Sequence, residues 1–169
     1  MMNFSIEAHI PSDFNDHARV WIFQSSRLFS MSEAFEIETI LKDHCSDWKS
    51  HGYAVKGYAN LFFGQFIVVM ADETEATVGG CSTDSLFRII KQIEALCKVN
   101  LFDRQMLAFL VKDKIQLLPL AQIKYAASNG HISPTTIYFN NTVGTKKELM
   151  QNWMIPMNES WLAARVSQA

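Results

Sequence analysis

Phe66-Ile67-Val68-Val69-Met70-Ala71 runs apolar without a break, and its reading decides the fold. A strand that is apolar at every position is buried on both faces of its sheet. Just upstream, Phe63-Gly64-Gln65 is a turn candidate, and Val55-Lys56-Gly57-Tyr58-Ala59-Asn60-Leu61 alternates with period two. That alternation is the pattern of a strand with one wet face. Arg19-Val20-Trp21-Ile22-Phe23-Gln24 is β-branched and aromatic and reads as another strand.

Two helices separate these strands. Ser30-Met31-Ser32-Glu33 has capping-box spacing and predicts a helix to about Ser50, ended by Gly52. A second helix is expected from about Ser82. Leu86, Ile89, Ile90, Ile93, Leu96 and Cys97 form its inner face, and Arg88, Lys91, Gln92 and Lys98 its outer face. Met106 to Val111 reads as a fourth strand. The order strand, helix, strand, strand, helix, strand is that of a ferredoxin-like βαββαβ unit. The expectation is one α+β domain over 1–169, with the ferredoxin-like core at 18–112 and residues 1–17 a polar lead-in.

Two helices cover one face of such a sheet, so the doubly apolar strands need a second cover. The C-terminal β/α extension, 113–169, is the expected source, by packing on the sheet or extending it. Lys112-Asp113-Lys114 reads as a hairpin turn into Ile115-Gln116-Leu117. Pro119 opens a short helix ended by Gly130. Thr136 to Phe139 reads as a strand, Thr145 and Glu148 as a capping box, and Trp153, Pro156 and Trp161 as docked tail residues.

Composition removes several function classes. Lysine and arginine total 15 against 17 aspartate and glutamate, a net charge of −2 with no basic stripe. A nucleic-acid partner is therefore not expected. No apolar run approaches the ~20 residues that span a bilayer, so no membrane partner is expected. Met1 to Pro11 lacks the charged start and apolar block of a signal peptide. Cys45, Cys81 and Cys97 are odd in number and widely spaced, which fits reduced thiols in a cytoplasm. There is no Gly-x-x-x-x-Gly-Lys-Ser/Thr P-loop: Gly144-Thr145-Lys146 lacks the preceding glycine and places the lysine after the threonine. Gly-x-Ser-x-Gly, Gly-x-Gly-x-x-Gly and His-Glu-x-x-His are absent too.

Three constellations carry chemistry-bearing residue types. Gly79-Gly80-Cys81-Ser82-Thr83-Asp84-Ser85 joins a buried strand to a helix. Its glycines permit a tight turn or a close ligand approach, and free N–H groups at a helix start favour an anion. The same field activates a thiolate, which makes Cys81 a candidate nucleophile or redox thiol. Gly79, Gly80, Ser82, Thr83 and Ser85 are then candidate anion ligands. Asp84 opposes both roles by repulsion. The plainer reading has Ser82 or Thr83 as the helix cap and Cys81 as a small buried residue. His44, Asp47 and His51 share a helix flank at metal-ligand spacing, but a solvated flank is expected and no metal or cofactor with it. Asp103-Arg104 precedes the fourth strand. Arg104 is a candidate anion clamp, and a structural pair is the plainer reading.

Several segments together resemble a family of small uncharacterised bacterial proteins. They are Ala18 to Arg27, Gly80 to Ser85, Leu101 to Arg104, and Phe139-Asn140-Asn141 to Thr145-Lys146, with Glu148-Leu149, Asn152-Trp153, Pro156 and Ser160-Trp161. The resemblance covers nearly the whole chain after about residue 15. Members are often labelled "ABC transporter ATPase", which implies ATP hydrolysis; this sequence holds neither a P-loop nor an ABC signature. The family implies no mechanism and no catalytic residues. The expected function is a non-catalytic interaction or ligand-binding module, working as a homo-oligomer or with a protein partner. The alternatives are a thiol enzyme using Cys81 and anion or nucleotide binding at Gly79 to Ser85.

Overall fold

A computed structural model describes residues 3–167. The chain runs β1 (Arg19–Gln24), α1 (Met31–Asp47), a ribbon of β2 (Lys49–Ser50) and β3 (Tyr53–Ala54), β4 (Lys56–Phe62), β5 (Phe66–Asp72) and α2 (Gly80–Cys97). It continues through β6 (Met106–Val111), β7 (Lys114–Pro119), α3 (Ile123–Ser128), β8 (Ile137–Phe139), α4 (Lys146–Asn152), β9 (Met154–Pro156) and α5 (Leu162–Ser167). The class is α+β with antiparallel sheets.

Every residue of β5 is buried, and β5 sits between β1 and β4 in a three-stranded sheet. Alternation sends Ile67, Val69 and Ala71 to one face and Phe66, Val68 and Met70 to the other. The first face packs on α1 and α2 through Ile37, Leu41, Leu86, Ile90 and Ile93. Arg27 bridges the two helices. It pairs with Glu33 at 2.8 Å and donates to the Cys97 carbonyl at 2.6 Å, while Glu33 closes the capping box on Ser30.

The second face has the second cover that its apolarity demands. Phe139, Leu149 and Trp153 of the C-terminal extension pack there, together with Ala108 of β6. The expected polar lead-in is part of this cover as well. Ile6, Ile10 and Phe14 are buried in it, four residues apart in an otherwise polar run. Buried Lys146 holds the arm by donating to the carbonyls of Pro11 and Phe14, and Asp72 accepts the Asn15 N–H. The far side of the second sheet buries Leu107, Phe109 and Tyr138 against α3 and α5. The layers therefore run helices, sheet, sheet, helices.

Three strands follow the order expected of a split βαββαβ unit, and the fourth does not. β6 leads a second sheet of order β7-β6-β8-β9 instead of flanking β1. Helix α1 also ends early, at Asp47 rather than near Ser50. Trp48 turns out of the helix to bury its ring, and its indole N–H donates to the Ser82 carbonyl at 3.0 Å. Gly52 then serves a two-residue hairpin rather than a helix cap, with His51 at φ 51° and Gly52 at φ 82°. Positive φ at both central positions is the hairpin turn that matches strand twist. Lys112 and Asp113 repeat it between β6 and β7.

Trp153 is 1% exposed and ringed by Phe62, Phe63, Phe66 and Phe139. Trp153→Ala is expected to cost about 3–5 kcal/mol, read from the urea midpoint. The Arg27 guanidinium beside Glu33 holds its carboxyl down from 4.5 to about 2. The Glu33 carboxylate thus stabilises the fold fully above pH 4.5 and loses that effect as pH falls towards 2. Glu33→Gln is expected to flatten the fall in thermal midpoint across that window, measured by calorimetry.

Candidate functional site

A cleft of about 720 Å³ touches Val20, Trp21, Ile22, Phe23 and Gln24, all five in succession. Successive side chains of a strand point to opposite faces, so a cavity touching all five runs along the strand's edge. This is the outer edge of β1, beside which a fourth strand was expected.

The hydrogen bonds identify which groups line that edge. Val20 N–H donates to the Gly144 carbonyl at 3.0 Å and Lys146 N–H to the Ala18 carbonyl at 2.9 Å, so residues 144–146 pair antiparallel with the start of β1. Even-numbered residues of β1 therefore turn their backbone outward, and odd-numbered ones bond β5. Ser26 N–H closes the other end on the Asn100 carbonyl. Between them, the N–H and C=O of Ile22 and of Gln24 have no partner among the described residues.

A side-chain relay holds β6 away from this edge. The buried Gln24 amide donates to the Met106 carbonyl at 3.0 Å and accepts from the Asn141 amide at 3.0 Å. Asn141 in turn accepts the Trp153 indole N–H at 2.9 Å. The second sheet is thus fixed to β1 through amide side chains, where backbone pairing would have filled the gap.

One wall is aromatic. Phe23, Phe87 and Phe102 meet edge-on or tilted at 5.6–5.9 Å, with the Lys91 ammonium 5.0 Å over the Phe102 ring. The other wall carries Tyr138 with Trp161 at 6.3 Å, and Thr142. Burial raises the Tyr138 phenol above its ordinary value. Lys91, Arg104 and Asp103 are the ionisable groups at the rim, and no histidine, cysteine or serine lines the cleft among the described residues.

The residues singled out from sequence fall in two places. Arg104 stands at this cleft. Gly79, Gly80, Cys81, Ser82, Thr83 and Ser85 form the start of α2, under the β2–β3 ribbon. Gly79 and Gly80 have no positive φ, so no strained turn requires them; a Cβ at Gly80 would meet nothing, and one at Gly79 would come within 3.3 Å of His51 Nε2. Gly79 is the N-cap, with no side-chain cap bond; the expected cap from Ser82 or Thr83 is not made. Ser82 is buried and donates to the Lys49 carbonyl, Thr83 donates to that of Gly79, and Ser85 to that of Ser82. These hydroxyls are committed to internal carbonyls.

Cys81 is exposed, not buried. Cys97 is buried, and burial pushes the Cys45 thiol up to about 11. The His44 ring packs tilted against Trp48 at 4.9 Å with its Nε2 unpartnered, and among the described residues His44, Asp47 and His51 form no group able to hold a metal. The polar end of β1, Gln24, was the overlooked signal of the cleft.

Compared with known protein families, with curated proteins and with solved structures, the chain matches none. Among the described residues, no helix is long and apolar enough to cross a membrane.

Iodoacetamide at neutral pH is expected to modify Cys81 alone in the native protein, and all three thiols in urea, by intact mass. Exposure alone accounts for that order, so fast labelling is no mark of a catalytic thiol.

Proposed function

We propose that this chain is a non-catalytic binding module for a protein partner, and that the cleft along β1 is its binding surface. The observation that carries this reading is the unpartnered edge of β1 inside an aromatic-walled cleft. A few convergent polar groups within an apolar concavity are the usual make-up of a binding site. Four of the segments that carry the family resemblance line the cleft: those around Val20 to Gln24, Leu101 to Arg104, Phe139 to Val143, and Trp161. We read the first sheet as a ferredoxin-like unit whose fourth position has been left open. The three free thiols support a reducing, cytoplasmic setting. The alternatives at the start of α2 have less support, because their hydroxyls are already bonded and Asp84 stands among them.

An NMR fragment screen on ¹⁵N-labelled protein tests the reading. The panel holds aromatic and acidic fragments, nucleotides and phosphorylated metabolites. Hits are expected to shift the Trp21 and Trp161 indoles and the Phe102 and Thr142 amides. Nucleotide-induced shifts confined to Gly79 to Ser85 would replace this reading with the anion site.

A further inference from the structure

We propose that the cleft takes an extended polypeptide segment of a partner protein, which adds to β1 as an antiparallel strand opposite Ile22 to Gln24. This rests on the reading of the cleft as the binding surface and specifies its ligand.

The backbone carries the argument. Ile22 and Gln24 each present one N–H donor and one C=O acceptor to the cleft, spaced two residues apart. That alternating pattern is the ladder of an antiparallel edge, and an extended backbone is its complement. Residues 144–146 already supply such a strand at the mouth of the same edge and set its direction. A ligand strand in that direction enters at Gln24 and runs towards Val20. The free stretch from Ile22 to Gln24 is about 7 Å, which pairs about three residues of the segment.

The walls define its side chains. Alternate residues of the segment face the Phe23, Phe87 and Phe102 cluster, so large apolar groups belong there. The rim charge is defined too. Lys91 stands over Phe102, which packs on Phe23, and Arg104 lies two residues from Met106, the partner of Gln24. Asp103 is the only acid among the described residues that line the cleft, and its carboxylate already accepts the Gln105 N–H. The net positive rim at the Gln24 end selects an acidic residue in the N-terminal half of the segment.

The probe is a display library of linear peptides of random sequence, selected on the full chain. Selected peptides are expected to combine apolar residues at alternate positions with an acidic residue towards the N-terminus. Binding is expected to slow hydrogen exchange at the Ile22 and Gln24 amides. N-methylation of peptide amides that face β1 is expected to weaken binding about tenfold each, and of the intervening amides hardly at all. Ile22→Pro removes an outward N–H and no β5 bond; it is expected to abolish peptide binding. The N-methyl series needs no variant protein, so it decides the matter even if that variant misfolds.

Peptides that bind without protecting Ile22 and Gln24, or without alternating N-methyl sensitivity, would overturn the proposal. So would a library that yields nothing while fragments occupy the cleft, which leaves the binding module standing. Concentration-dependent protection of Ile22 in the protein alone, with dimers in light scattering, would assign the edge to a second copy and overturn it as well. Fragments that bind everywhere but the cleft would instead end the reading of the cleft as the binding surface.

Discussion

The two-sided burial of β5 is the constraint on which the rest of the structure depends. Seven residues in succession are removed from water, so neither face of the sheet is free to meet solvent. A three-stranded sheet with only α1 and α2 on it would leave Phe66, Val68 and Met70 exposed, at a cost of about 1.5–3 kcal/mol each. The C-terminal half and the N-terminal arm are both recruited to prevent this. The arm is fixed by buried polar groups: Lys146 has two carbonyl partners and Asp72 has the Asn15 and Thr74 amides. Buried charges persist only where such bonds replace water.

That demand explains why β6 is not in the first sheet. Had it paired with β1, its sheet would have gained an edge but the second face would have lost Ala108 and Leu110 as cover. The chain instead starts a second sheet and stacks it on the first. The Gln24–Asn141–Trp153 relay sets the separation at the β1 side, because an amide side chain spans a gap that backbone pairing would close. The cleft is thus a geometric consequence of how the core is covered.

The sequence carried the local patterns clearly. Unbroken apolarity at Phe66 to Ala71, the capping spacing of Ser30 and Glu33, and the amphipathic α2 all correspond to elements of the fold. What it did not carry was long-range. The end of α1 is set by Trp48 finding the Ser82 carbonyl, 34 positions on. The role of Ile6, Ile10 and Phe14 depends on a sheet that forms elsewhere, although their spacing was visible. The position of β6 depends on Gln24, a polar residue that looks like an ordinary strand end. The glycines and hydroxyls at Gly79 to Ser85 drew attention because those residue types often bind anions. Here they are accounted for by helix and ribbon packing, and the open edge lies elsewhere.

An open strand edge is normally a hazard, since it templates pairing between sheets. Proteins blunt such edges with charge, proline, bulges or a covering segment. β1 has none of these between Ile22 and Gln24, yet its edge is recessed. Phe102 and Lys91 stand on one side, and Tyr138, Thr142 and Trp161 on the other. A flat sheet edge from another molecule arrives with its neighbouring strands and meets these walls, whereas the single extended segment proposed as the ligand brings none. On that proposal the recess sorts by thickness, and the aromatic wall and positive rim sort by side chain. A recess of this kind then takes the place of the charge, proline or bulge that blunts an ordinary open edge.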